Sequence, residues 1–185
     1  IIENNNTLLL QLISDILDLS KIEAGTMEFA YTDFELNGVM TELESSLRLK
    51  LSPDKQVTLT LETPLPECYI HAERNRISQI IINLVTNAIK FTETGNIRIG
   101  YQIRDNKQLY FYVTDTGCGI SEDKQESVFG RFVKLNTFAQ GTGLGLSISQ
   151  TIVGKLSGQI GADSIEGEGS TFWFTLPYLS CGKPQ

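Results

Sequence analysis

The residues of this chain best equipped for chemistry cluster between positions 83 and 91, where Asn83, Asn87 and Lys90 stand among apolar neighbours. At about 3.6 residues per turn, Arg76, Gln79, Asn83, Asn87 and Lys90 share one narrow line of a helix, while Ile77, Ile81, Leu84, Val85, Ala88 and Ile89 fill the opposite arc. Such a helix is mostly buried. Asn is a poor residue for an ordinary solvated side, because in a helix interior it costs roughly 0.5 kcal/mol relative to Ala. Its amide oxygen is, however, a hard ligand suited to Mg2+, which takes few protein ligands and leaves the rest of its octahedron to water and phosphates. Lys90, one turn further on, adds positive charge for the same phosphates. A merely solvated polar side is the alternative reading of this stripe.

Two glycine-rich segments follow. Asp115, Gly117, Gly119 and Ile120 come directly after an apolar and aromatic strand, so the carboxylate sits at a strand end where the glycines allow a tight turn and close approach of a ligand. A buried Asp there accepts a hydrogen bond from an exocyclic amino group such as that of adenine; an ordinary Asp/Gly turn is the alternative. Nothing flanking Cys118 would activate its thiol, and it reads as a spectator. Gly141, Thr142, Gly143, Leu144, Gly145 and Leu146 precede an apolar helix, whose first N–H groups suit an anion. The Lys-Ser/Thr ending of a P-loop and the ribose-binding acid of a Rossmann unit are both missing. Between these segments, Phe129, Gly130, Arg131, Phe132 and Lys134 open a polar stretch with the build of a flap hinged on glycine. Arg131 and Lys134 suit terminal phosphates, or equally a solvated surface.

The elements that must position these groups are legible in outline. Ile2, Leu9, Leu12, Ile16 and Leu19 follow a heptad seam with Asn5 at one position, and Leu8, Ile13 and Leu17 widen the apolar face, as in a helical bundle. That helix ends near Ala24 and Gly25. No N-cap precedes it, so the pattern reads as the interior of a longer helix. A short strand is expected over 27–34, a helix over 34–51 closed by Ser52 and Pro53, and strands over 57–61 and 68–70. The striped helix spans 73–91. A hairpin of strands 96–103 and 109–114 turns at Asp105 and Asn106. A helix over 144–156 and strands over 159–163 and 170–176 complete the chain. Strands and helices do not alternate regularly, so a doubly wound parallel sheet is disfavoured. The fold class expected is α+β: a two-layer α/β sandwich of a mixed, mostly antiparallel sheet with helices on one face, plus an N-terminal bundle helix.

The 185 residues, 41% of them hydrophobic, are ample for a core, and the net charge of -7 argues against a surface built for nucleic acid. Cys68, Cys118 and Cys181 lack metal-ligand spacing and suggest neither zinc nor a disulfide framework, consistent with a reducing cytoplasm. No run approaches the roughly 18 apolar residues of a membrane span.

Taken in order, these segments resemble the ATP-binding domain of sensor histidine kinases, within the superfamily that includes gyrase, the heat-shock chaperone ATPases and the mismatch-repair ATPases. The family's asparagine box resembles residues 83–91, its first glycine box 115–120, its phenylalanine box 129–132 and its second glycine box 141–146; Gly167, Gly169, Ser170 and Thr171 match the usual end of the domain. Asp18, Ser20, Lys21 and Glu23 resemble the end of the second helix of the dimerisation and phosphotransfer hairpin. Glu73 stands where relatives often carry Asp, and Phe91 where Tyr is frequent. The resemblance implies three parts: a truncated second hairpin helix at 1–26, the catalytic domain at 27–179, and an unmatched tail at 180–185.

It also implies roles. Asn87 coordinates Mg2+ with Asn83 beside it, Lys90 contacts phosphate and Phe91 the adenosine, and Asp115 reads the adenine amino group. Gly117, Gly119, Ile120 and Phe132 belong to the ATP site, and the amides around Gly141, Thr142, Gly143, Leu144, Gly145 and Leu146 hold phosphates under a lid over about 129–143. Arg131 stabilises the γ-phosphate, and Thr171 lies near the adenine pocket. In the hydrolysing relatives a glutamate stands where this chain has Asn83, which is no general base at neutral pH, so slow hydrolysis is expected. The γ-phosphate is expected to pass to a histidine and then to an aspartate of a response-regulator receiver domain. The one histidine, His71, lies outside any family acceptor position, so this chain should bind Mg-ATP without phosphorylating itself. The acceptor helix would come from the same or a partner protomer of a homodimer, in the cytoplasmic portion of a membrane-bound sensor. Without its bundle partners the apolar face over 9–19 should be exposed and prone to artificial pairing. The competing readings are a degenerate nucleotide sensor and an anti-sigma-type serine kinase.

Overall fold

The computed structural model describes residues 2–133 and 142–182, with side chains from residue 9 onward. Lys134 and Gly141, two of the residues singled out above, lie outside the described residues. The chain opens on helix α1 (Ile2–Glu23), followed by β1 (Thr32–Glu35) and α2 (Leu36–Arg48). Strands β2 (Gln56–Glu62) and β3 (Tyr69–Ala72) lead into α3 (Arg74–Phe91). Next come β4 (Thr94–Arg104), β5 (Gln108–Asp115), the short α4 (Glu122–Gln125), α5 (Gly145–Lys155), β6 (Gln159–Ile165) and β7 (Gly169–Pro177).

Five strands form one sheet in the order β2-β4-β5-β7-β6, with β2 parallel to β4 and every other pair antiparallel. Helices α2, α3 and α5 pack on one face of it, which makes the expected two-layer sandwich. Strand β5 shows why: its residues alternate, with Leu109, Phe111, Val113 and Asp115 turned inward, a period of two that one buried face demands. Phe111 and Phe174 stack at 4.6 Å beneath Ile81, Leu84, Val85, Ile148 and Ile152, all buried. The β4–β5 hairpin turns at Asp105 and Asn106 with φ of 50° and 52°, a left-handed pair that matches the twist of the strands.

Some expected boundaries move. The strand expected over 27–34 is confined to β1, which pairs with β3 in a separate two-stranded sheet. The helix expected from residue 34 begins at Leu36, because the Glu35 carboxylate caps it by accepting from the N–H groups of Asn37 and Gly38. Helix α4, at four residues, is too short to show a helical periodicity in the sequence. Ser180 bridges Ile70, and the Cys181 N–H donates to Tyr69, so these two residues run along β3.

Candidate functional site

Helix α3 starts at Glu73, whose buried carboxylate accepts from the Arg76 N–H. Its apolar arc faces the sheet, and its polar line, rather than meeting solvent, is half-buried against other parts of the protein. The residues exposed to solvent are Arg74, Asn75 and Ile82 instead. The polar line divides into three. Near the N-terminus, Gln79 donates to Asp18 of α1 at 2.6 Å, and Arg76 lies 3.8 Å from the same carboxylate. In the middle, the Asn83 amide donates to Ser149 of α5 at 3.0 Å, and its Oδ1 packs where a side chain on Gly145 would stand. At the far end, Asn87 lines a cavity of about 290 Å³.

That cavity gathers Asn87, Phe91, Asp115, Gly119, Ile120 and Leu146 from three separate stretches of sequence. Asp115 of β5 and Ser170 of β7 line its floor from the otherwise apolar inner face and face each other across the strands, and Ser164 of β6 faces Ser170 from behind, outside the cavity lining. Asp115 accepts from the Gly117 N–H at 2.8 Å. Burial pushes its carboxyl above the ordinary value, against the opposing pull of the Gly117 and Ser170 N–H groups. Gly119 holds φ of 65°, and a Cβ there would stand 2.0 Å from the Ile165 carbonyl oxygen, so the turn admits no side chain. Among the described residues no side chain caps the first turn of α5, where Leu146 meets the cavity.

The remaining residues of the sequence reading lie elsewhere. Lys90 sits over the Phe91 ring at 4.9 Å. Arg131, exposed, pairs with Glu23 of α1 at 2.7 Å, and Thr142 donates to the buried Asp15 of α1 at 2.6 Å. Phe132 is 65% exposed and its N–H donates to Gly143, which ties together the two ends of the flap; Leu144 is buried. Thr171 points to the open face of the sheet, bonded to Thr114 at 2.9 Å, so Ser170 and Phe172 occupy the cavity side of β7 instead. This follows from strand alternation.

Sequence reasoning missed Ala88, Ser121, Lys124, Glu166, Ser170 and Phe172, and the spectator Cys118 also lies in the wall. Ser170 had a signal, being a polar residue in phase with the buried side of its strand. Lys124 and Glu166 had none. Among the described residues, no group of His, Cys, Asp or Glu is arranged to hold a metal, and no helix is long and apolar enough to cross a membrane.

Residues 72–180 match the family model described as histidine kinase-, DNA gyrase B-, and HSP90-like ATPase. The chain is 39% identical over 185 residues to the signal transduction histidine-protein kinase BarA of Escherichia coli, covering 95% of this chain and 20% of that protein. It is 35% identical over 184 residues to the autoinducer 2 sensor kinase/phosphatase LuxQ of Vibrio vulnificus, covering 94% and 21%. The chain thus spans about a fifth of the length of these curated relatives. Among solved structures, full-length ShkA in complex with AMPPNP superposes with a TM-score of 0.86 at 28% identity, over 96% of this chain and 37% of that one. The catalytic domain of the histidine kinase ThkA superposes with a TM-score of 0.69 at 33% identity, over 82% and 98%. The chain belongs to the histidine kinase-, DNA gyrase B- and HSP90-like ATPase family, and carries the ATP-binding catalytic domain of the sensor histidine kinases.

Proposed function

We propose that the cavity between α3, β5, β7 and α5 binds ATP with Mg2+ and holds its γ-phosphate for a histidine on another helix, from which it passes to an aspartate of a response regulator. The observation that carries this reading is the meeting of Asn87 and Asp115 in one cavity, beside the first turn of α5. Asp115 and Ser170 take the adenine end, with Ile120, Phe91 and Phe172 against the base. Asn87 supplies an amide oxygen to the metal, a donor set that suits a cation retaining water and phosphate as its other ligands. When bound, Mg2+ neutralises phosphate charge and orients the β- and γ-phosphates. Asn83, bonded to Ser149, holds this stretch of α3 against α5 beside the metal ligand. The first turn of α5 and Lys90 attract the phosphates, and Arg131 reaches them by exchanging Glu23 for the γ-phosphate. Positioning and charge neutralisation are what such a transfer requires.

The acceptor histidine belongs to a helix that packs on the exposed apolar face of α1, where Leu9, Leu10, Ile13, Ile16 and Leu17 are each about half accessible or more. His71 is not that acceptor: it pairs with Asp33 at 2.7 Å and stacks on Tyr31, outside the cavity. The test mixes the chain, radiolabelled ATP and the histidine-bearing helix, with Asn87→Ala as control. Label on the helix that disappears in Asn87→Ala is expected. Nucleotide binding without transfer would favour a sensor, and stable label on His71 would overturn the assignment.

A further inference from the structure

We infer that Ser164 is a specificity-determining residue of the nucleotide cavity: its hydroxyl consumes the Ser170 proton and makes the cavity floor an acceptor-only surface, selecting a 6-amino over a 6-oxo purine. This rests on the reading of the cavity as a purine nucleotide site.

The inference follows from counting hydrogens. Ser164 Oγ lies 2.8 Å from the Ile120 N–H, 2.9 Å from the Gly169 carbonyl oxygen and 2.8 Å from Ser170 Oγ. A serine hydroxyl has one hydrogen to donate and two lone pairs to accept with. A carbonyl oxygen can only accept and an N–H can only donate, so the Ser164 proton goes to Gly169 and one lone pair takes Ile120. The other lone pair then takes the Ser170 hydroxyl proton. Ser170, 7% exposed and in the cavity wall, is left to present lone pairs next to the Asp115 carboxylate. An amino group at purine position 6 brings two hydrogens to this pair of acceptors. A carbonyl oxygen at that position brings none, and its lone pairs face theirs. Without Ser164 the Ser170 proton is free to turn toward the cavity and donate to a 6-oxo group. Ser164 does not itself line the cavity, so it acts through Ser170.

The experiment measures dissociation constants of Mg-ATP and Mg-inosine triphosphate by calorimetry; the two nucleotides differ at position 6 of the base and in the hydrogen that N1 carries in inosine. Wild type is expected to prefer ATP. Ser164→Ala is expected to narrow the inosine-to-adenosine ratio about tenfold, and Ser164→Thr, which keeps the hydroxyl, to preserve it. Ser170→Ala, which removes the facing lone pairs, should also narrow the ratio and serves if Ser164→Ala does not fold. Wild type that prefers ATP, with a ratio unmoved by Ser164→Ala or Ser170→Ala, would overturn this role alone. Wild type that binds neither nucleotide would overturn the site reading and this role with it.

Discussion

Replacing Asp115 by Asn separates what the cavity does for stability from what it does for binding. Asp115 is 7% exposed, and burial raises its pKa above the ordinary 3.8. A carboxyl with a raised folded-state pKa holds its proton more tightly folded than unfolded, so ionising it disfavours the fold. Its contribution therefore declines as pH rises from 3.8 through the folded pKa, and is least favourable at neutral pH. Asn cannot ionise, and its carbonyl oxygen still accepts from the Gly117 N–H, whose bond to Asp115 Oδ1 is 2.8 Å. Asp115→Asn should thus melt higher than wild type at pH 7.5, with the difference shrinking toward pH 4. Binding moves the other way. With the carbonyl oxygen held by Gly117, the new NH2 faces the cavity, where a donor meets the adenine amino donor and a charge-assisted bond is lost. Such a bond contributes about 1.5–3 kcal/mol, so ATP affinity should fall about 10- to 150-fold. Thermal melts across pH 4 to 7.5, paired with calorimetric titration of ATP, test both halves. An Asn variant that melts lower at pH 7.5, or binds ATP as well as wild type does, would refute the reasoning.

Gly119→Ala forces a side chain into a left-handed turn at roughly 1–2 kcal/mol and against the Ile165 carbonyl, so ATP affinity should drop more than about tenfold by calorimetry. Phe174→Ala removes a fully buried ring stacked on Phe111 and should lower the unfolding free energy in urea by about 3–5 kcal/mol. The contacts of Arg131 and Thr142 with α1 should differ: Glu23→Gln breaks an exposed pair and should change stability by less than about 1 kcal/mol, whereas Asp15→Ala removes a buried acceptor of Thr142 and should cost about 1.5–3 kcal/mol. With Asn83 bonded to Ser149 in place of a general base, phosphate-release assays should show slow ATP hydrolysis; turnover matching relatives that carry glutamate there would refute this.

What the sequence determined by itself follows from local rules. Helical period placed Asn83 and Asn87 on one line, strand period placed Asp115 at a buried strand end, and glycine spacing marked the turns that let backbone approach a ligand. The β4–β5 turn at Asp105 and Asn106 was legible for the same reason, since few residues accept a left-handed pair. Periodicity says which residues share a face, and is silent on what that face meets. Only the tertiary structure decided that the α3 line is shared between α1, α5 and the cavity, so that Asn83 meets Ser149 while Asn87 meets the pocket. The same holds for the floor. Asp115 and Ser170 line it, with Ser164 behind, only because β7 runs between β5 and β6 in one register, and a shift of one residue would turn Thr171 inward in place of Ser170. Lys124 reaches the wall from the short helix α4 and Glu166 from the turn between β6 and β7, whose placement depends on long-range packing that no local pattern encodes.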